Sequence, residues 1–90
     1  MKFEWDPRKA RLNALKHNVT FEEASTALRD PMAATGDDPD HSLREDRFIT
    51  FGVSEQGRLL VVAHTEEAET IRVISARIAN KKERKIYEEG

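Results

Sequence analysis

Ala10, Ala14 and Leu15, with Leu12 beside them, recur at helical spacings after Pro7, while Arg8, Lys9, Arg11 and Lys16 fall largely elsewhere on the helical wheel. Asp6-Pro7 supplies an N-cap followed by a proline at the first helical position, so the pattern predicts a basic amphipathic helix from Pro7 to about His17, ended by Asn18. Ahead of it, Phe3-Glu4-Trp5 alternates apolar, polar and apolar and predicts a brief strand. Thr20-Phe21-Glu22-Glu23 has the form of a capping box. Phe21, Ala24, Ala27 and Leu28 then mark the buried stripe of a second helix, ended near Asp30 by Pro31.

The pattern changes period in the second half. Residues 47–54, 58–65 and 70–77 are rich in Val, Ile, Leu, Phe and Thr and are separated by Glu55-Gln56-Gly57 and by Glu66-Glu67-Ala68-Glu69, which predicts three successive antiparallel strands. Leu59 to Ala63 is apolar on both faces and predicts the centre of the sheet. Residues 31–46 contain Gly36, Pro39 and the acids Asp37, Asp38 and Asp40, the composition of a loop, with room for a short strand near 32–35. Asn80-Lys81-Lys82-Glu83 opens a last helix, to which Ile86 and Tyr87 give a short apolar grip on the sheet. The order predicts an α+β domain spanning residues 1–90: an antiparallel sheet with two N-terminal helices and one C-terminal helix.

Composition narrows the function classes. With 38% hydrophobic and 36% charged residues in 90, the chain has enough apolar material for one core and no room for a separate cofactor domain. It has no cysteine, which excludes disulfides, thiolate metal sites and a cysteine nucleophile and points to the cytoplasm. No apolar run is long enough for a membrane span or a signal peptide, so neither export nor membrane insertion is expected. The formal net charge of −2 hides an uneven distribution. Residues 1–17 carry five Lys/Arg against two acids, residues 18–71 four against twelve, and residues 72–90 six against three. Brought together by the fold, the two basic ends would form a surface able to meet phosphates.

The chain has no glycine-rich phosphate loop, nucleophile elbow or His pair at i, i+4. Asp37, Asp38, Asp40 and His41 form the one local group of ligand-like density, and such acid-rich stretches are usually solvated turns, so no metal or other cofactor is expected. Charges inside the strands carry more information, because a charge in a half-buried ladder must face solvent, a partner or a substrate. Glu45 and Arg47 are two apart and share a face in an extended chain; Arg72 interrupts the third strand and Arg77 ends it. Strict alternation puts Arg72 and Arg77 on opposite faces, so they meet one cleft only if a bulge intervenes or the strand ends first. The structural alternative, in which Glu45 pairs with an arginine and the arginines snorkel at strand edges, stays open on the residues alone. RNA cleavage by side chains needs a base for the 2′-hydroxyl, an acid for the leaving oxygen and cations for the charge on phosphorus; Glu, His, Tyr, Lys and Arg suffice.

Phe3-Glu4-Trp5-Asp6, Lys9, Asn13, Lys16-His17 and Phe21-Glu22-Glu23-Ala24 are followed by His41-Ser42, Glu45, Arg47 and Gly52. Arg72 to Arg77, Ala79, Glu83-Arg84 and Tyr87 complete the set. In this order and spacing the residues resemble the BrnT family of bacterial toxins. The resemblance implies a RelE-like fold and a ribonuclease that arrests translation. It also implies a BrnA-type antitoxin with a ribbon-helix-helix part, which neutralises the toxin and represses their shared operon as a complex, so that operator DNA is met only through the antitoxin. Carried onto this sequence, it makes Arg47, Arg72 and Arg77 the phosphate-facing cations, with Glu45 orienting them or acting as base. Lys81, Lys82 and Arg84 would track the RNA backbone, Tyr87 would stack on a base or donate a proton, and His41 and His64 are acid–base candidates that more often serve structure. The competing reading is a catalytically weak module that acts mainly as co-repressor with its DNA-binding antitoxin.

Overall fold

The computed structural model describes residues 1–39 and 46–90. Its elements run β1 (Lys2–Glu4), α1 (Pro7–His17), α2 (Phe21–Ala27), β2 (Ala34–Asp37), β3 (Arg47–Val53), β4 (Leu59–Glu67), β5 (Thr70–Ile78) and α3 (Lys81–Glu89). The cap residues are those the sequence offers, except that the box expected at Thr20–Glu23 is only half formed, because the Glu23 carboxylate turns to Ser54 and Arg58. The Asp6 carboxylate accepts from the Arg8 amide, Thr20 Oγ1 accepts from the Glu23 amide, and Asn80 with Glu83 closes a full capping box. Asn18 ends α1 in the left-handed region at φ 57°, a conformation asparagine tolerates. The short strand after α2 is Ala34–Asp37, two residues later than the 32–35 expected.

The strands form one sheet in the order β1-β5-β4-β3-β2, with β4 central as its double-sided apolar run predicts. The expectation of a purely antiparallel sheet is corrected: β1 pairs parallel to β5, and the sheet is mixed. The cause lies in the connection. Both helices intervene between β1 and the meander, so β1 is not tied by a hairpin to its neighbour and enters at the edge beside the last strand.

One sheet face is covered by α1 and α2. Val19, Phe21, Ala24, Ala27, Leu60, Val62, Val73 and Ala76 form its core, with Trp5 set edge-on to Phe21 at 6.0 Å. Gly52 allows the closest approach, since a Cβ there would lie 2.2 Å from the Ala27 carbonyl oxygen. Glu23 on α2, almost buried, accepts from Ser54 Oγ at 2.7 Å and from Arg58 Nε at 2.9 Å and ion-pairs with the Arg58 terminal nitrogen, tying α2 to the β3–β4 hairpin. The opposite face is only partly covered. Leu59, Val61 and Ala79 pack there with Ile49, Phe51, Val53 and Tyr87, and α3 lies over that end without burying any of its own residues fully. No helix among the described residues is long and apolar enough to cross a membrane.

Candidate active site

The side of the sheet away from α1 and α2 collects the strand arginines. Arg47 stands opposite Thr65, and Thr65 opposite Arg72, so the two arginines flank a threonine in one row across β3, β4 and β5. Arg77 stands opposite Val61, two rows toward the α3 end, on the same side. Its presence there depends on an irregularity in β5. Ala63 pairs with Ser75 and His64 with Val73, leaving Ile74 without a counterpart on β4. That extra residue shifts the alternation by one, so Ile71, Val73 and Ala76 face the helices while Arg72, Ser75 and Arg77 face the other way. The bulge required to bring Arg72 and Arg77 to one side is therefore present.

The arginines have partners there. Arg72 lies 3.5 Å from Glu4 across the β1–β5 pairing, with both side chains about half exposed. A contact that long and that wet contributes little. Arg72 also lines a recess of about 330 Å³ with Glu4, Thr65, Glu67, Ala68 and Thr70. Arg77 is held more firmly, its two terminal nitrogens donating to the two oxygens of Glu83 at 2.7 Å each. The fork-to-fork pair keeps Glu83 ionised well below the usual carboxylate range and raises the arginine further. Because Glu83 Oε1 also accepts the Asn80 amide, the same carboxylate caps α3 and fixes Arg77. One further half-buried anchor holds α3 at its other end. The Tyr87 hydroxyl donates to Asp30 Oδ2 at 2.7 Å, and that oxygen also accepts the Val53 amide at 2.8 Å. Bonding to Asp30 pushes the phenol pKa up, so Tyr87 releases its proton less readily than a free tyrosine.

The remaining expected site residues separate. Lys81, Lys82 and Arg84 are exposed on the first turns of α3, the two lysines at the helix end whose dipole disfavours cations. His64 is 2% exposed on the helix-covered side, its Nε2 bonded to Thr50 Oγ1 at 2.7 Å and its ring stacked on Phe48. The structure does not bring it to the arginines. Burial lowers its pKa. Glu45 and His41, together with Asp40, lie outside the described residues. Among the described residues no group of three His, Asp or Glu is arranged to hold a metal ion.

Residues 5–83 match the family described as the ribonuclease toxin BrnT of type II toxin-antitoxin systems. The chain belongs to the BrnT family. A crystal structure of the Brucella abortus ribonuclease toxin BrnT superposes with a TM-score of 0.70 at 25% identity, over 90% of this chain and 99% of that one. No curated protein matches the sequence. The segment matched to the BrnT family contains Arg47, Arg72, Arg77 and Glu83, while Arg84 and Tyr87 lie beyond its end.

Two residues that shape this candidate site carry no role in the sequence pattern. Asn13 is buried and pairs with both backbone groups of Ala76, donating to its carbonyl at 2.8 Å and accepting its amide at 3.1 Å, while also donating to the Val19 carbonyl at 2.9 Å. β1 pairs with β5 only at residues 70–72, so this side-chain amide continues the ladder at the residue preceding Arg77. The signal for it is an asparagine on the apolar side of a helix. Asp30, which the sequence marks only as a helix end, gathers Met32, Val53 and Tyr87 with its two oxygens.

Proposed function

We propose that the chain is the toxin of a type II toxin-antitoxin pair: a metal-independent endoribonuclease that cuts RNA on the arginine-bearing sheet face and thereby arrests translation. The observation that carries this reading is the extra residue at Ile74, which sets Arg72 and Arg77 on the same side as Arg47. Arg47 and Arg72 stand two strand spacings apart, about 10 Å, a gap that two arginine side chains span from either side. A phosphodiester above Thr65 would meet both forks. The loose Glu4 contact of Arg72 is one that a phosphate displaces at little cost. Arg77 adds a third cation when a phosphate oxygen takes the place of one oxygen of Glu83.

Catalysis then requires a base for the 2′-hydroxyl and an acid for the departing 5′-oxygen. His64 sits behind the sheet, and the Tyr87 proton is committed to Asp30. We therefore assign the two proton-transfer roles to Glu45 and His41, two and six residues ahead of Arg47 in the chain: one takes the 2′-hydroxyl proton as base and the other protonates the departing 5′-oxygen as acid. Tyr87 holds α3 in place and can still offer its ring to a base. Lys81, Lys82 and Arg84 carry the RNA backbone along α3; positive charge at that helix N-terminus opposes the dipole and gains a purpose from a polyanion. A BrnA-type antitoxin with a ribbon-helix-helix part neutralises the toxin and carries the complex to the operator.

Expression of the protein alone, with growth and total RNA followed after induction, tests the reading. Wild type should stop growth and fragment RNA, and folded Arg47→Ala and Arg72→Ala variants should do neither. Intact RNA and normal growth with wild type would favour the co-repressor reading instead. Unchanged toxicity in both variants would move the chemistry away from this face.

A further inference from the structure

On the outer side of α1, away from the sheet, two large apolar side chains stand in water. Leu12 is 59% exposed and Leu15 78% exposed, although they lie in the middle and last turn of a well-formed helix. The helix is anchored through its other side, by buried Asn13 and half-buried Ala10 and Ala14, so neither leucine is needed to hold it. At 100° per residue Leu12 and Leu15 point outward together, with Arg11 on one flank and Lys9 and Lys16 on the other. Written as a heptad, the leucines take adjacent a and d positions, Arg8 takes the d position one turn earlier at the end of the same seam, Arg11 takes g, and Lys9 and Lys16 take e. Every flanking position within α1 is cationic, and α1 contains no acid, in a chain whose net charge is −2.

We infer that this face of α1 is the seat of an acidic amphipathic helix from a protein partner, with leucine-like residues on its own a and d positions and Glu or Asp on its e and g positions. Charge complementarity selects that occupant. A polyanionic RNA would use the lysines and arginines and gain nothing from two outward leucines, whereas a packed helix desolvates the leucines and pairs each flanking cation. The seat is short, about 16 Å of helix, so it anchors a longer partner. It also lies on the helix-covered side of the sheet, so its occupant leaves Arg47, Arg72 and Arg77 uncovered. The inference does not depend on the proposed ribonuclease activity.

The test uses the full chain and a fluorescent peptide of about 20 residues with Leu at a and d and Glu at e and g. Such a peptide repels itself and is unfolded alone. It should bind the protein and gain helicity, while a scrambled peptide of the same composition binds at least about tenfold more weakly. Leu12→Ser/Leu15→Ser should lose the peptide with its thermal midpoint unchanged. The Arg11→Glu/Lys16→Glu variant should weaken the acidic peptide and accept one with Lys at e and g, which keeps the test decisive if the leucine variant misfolds. Absence of peptide binding, equal binding of the scramble, or unaltered binding by the leucine variant overturns the proposal. So does loss of binding to a single-stranded RNA oligonucleotide in that leucine variant, which would make the face a nucleic-acid surface.

Discussion

His64 shows how much one side chain can constrain the molecule. It is one of the largest fully buried residues, bonded through Nε2 to Thr50, which is bonded in turn to Thr35, and its Nδ1 has no hydrogen-bond partner among the described residues. A protonated ring would bury a charge and an unsatisfied donor together, so burial holds its folded pKa below the ordinary 6.5. The unfolded chain therefore takes up a proton first as pH falls, and stability should decline below about pH 6.5, by up to about 1.4 kcal/mol per pH unit. Glu23 works the other way. Arg58 lowers its pKa, so its contribution is present above the ordinary 4.5 and is lost only as pH falls through its folded value. Urea unfolding between pH 7.5 and 5 checks this, at about half-unit intervals: His64→Gln should flatten the decline, and an equally steep decline in that variant would assign it to another group. Asn13 makes the complementary point, since it spends both amide hydrogens and its oxygen on backbone groups of Ala76 in β5 and of Val19 in the connection between α1 and α2, and so positions Arg77 without touching it.

At the scale of elements, the decisive contacts are close approaches and single ties. α2 sits on β3 where Gly52 leaves room, and the Ala27 carbonyl at 2.2 Å from a notional Cβ is backbone that cannot swing aside. Gly52→Ala should cost about 1–3 kcal/mol or more, seen as a lower urea midpoint with an unchanged slope; a midpoint equal to wild type would mean that α2 floats on the sheet. The elements themselves were largely legible. Caps at Asp6, Thr20 and Asn80 and the period-two runs mark helices and strands close to where they occur. The parallel edge was not legible, because the partner of a three-residue strand is settled by space left at the sheet edge and not by its own residues. Nor was the extra residue at Ile74, which a β-branched residue in a run of similar residues does not announce. Of the site, the sequence supplied the arginines but not their ties to Glu4 and Glu83, which depend on which strand and helix lie alongside.

The whole molecule has two unlike sides. One is sealed by α1 and α2 over a continuous apolar core and shows α1's leucines and cations to solvent; the other is an incompletely covered sheet carrying Arg47, Arg72 and Arg77. The chain belongs to the BrnT family, and the superposition on the Brucella abortus toxin covers almost all of that chain, so the fold is shared in outline; the proposed cleavage lies on the open side. The most direct measurement is cleavage of an end-labelled single-stranded RNA by the purified protein in EDTA, comparing wild type with Arg47→Ala and Arg72→Ala. Wild type should make defined cuts, and each variant should lose at least about a hundredfold in rate, on the scale of removing a charge-stabilising group. Cutting that persists at the full wild-type rate in both folded variants would contradict cleavage on the arginine-bearing face.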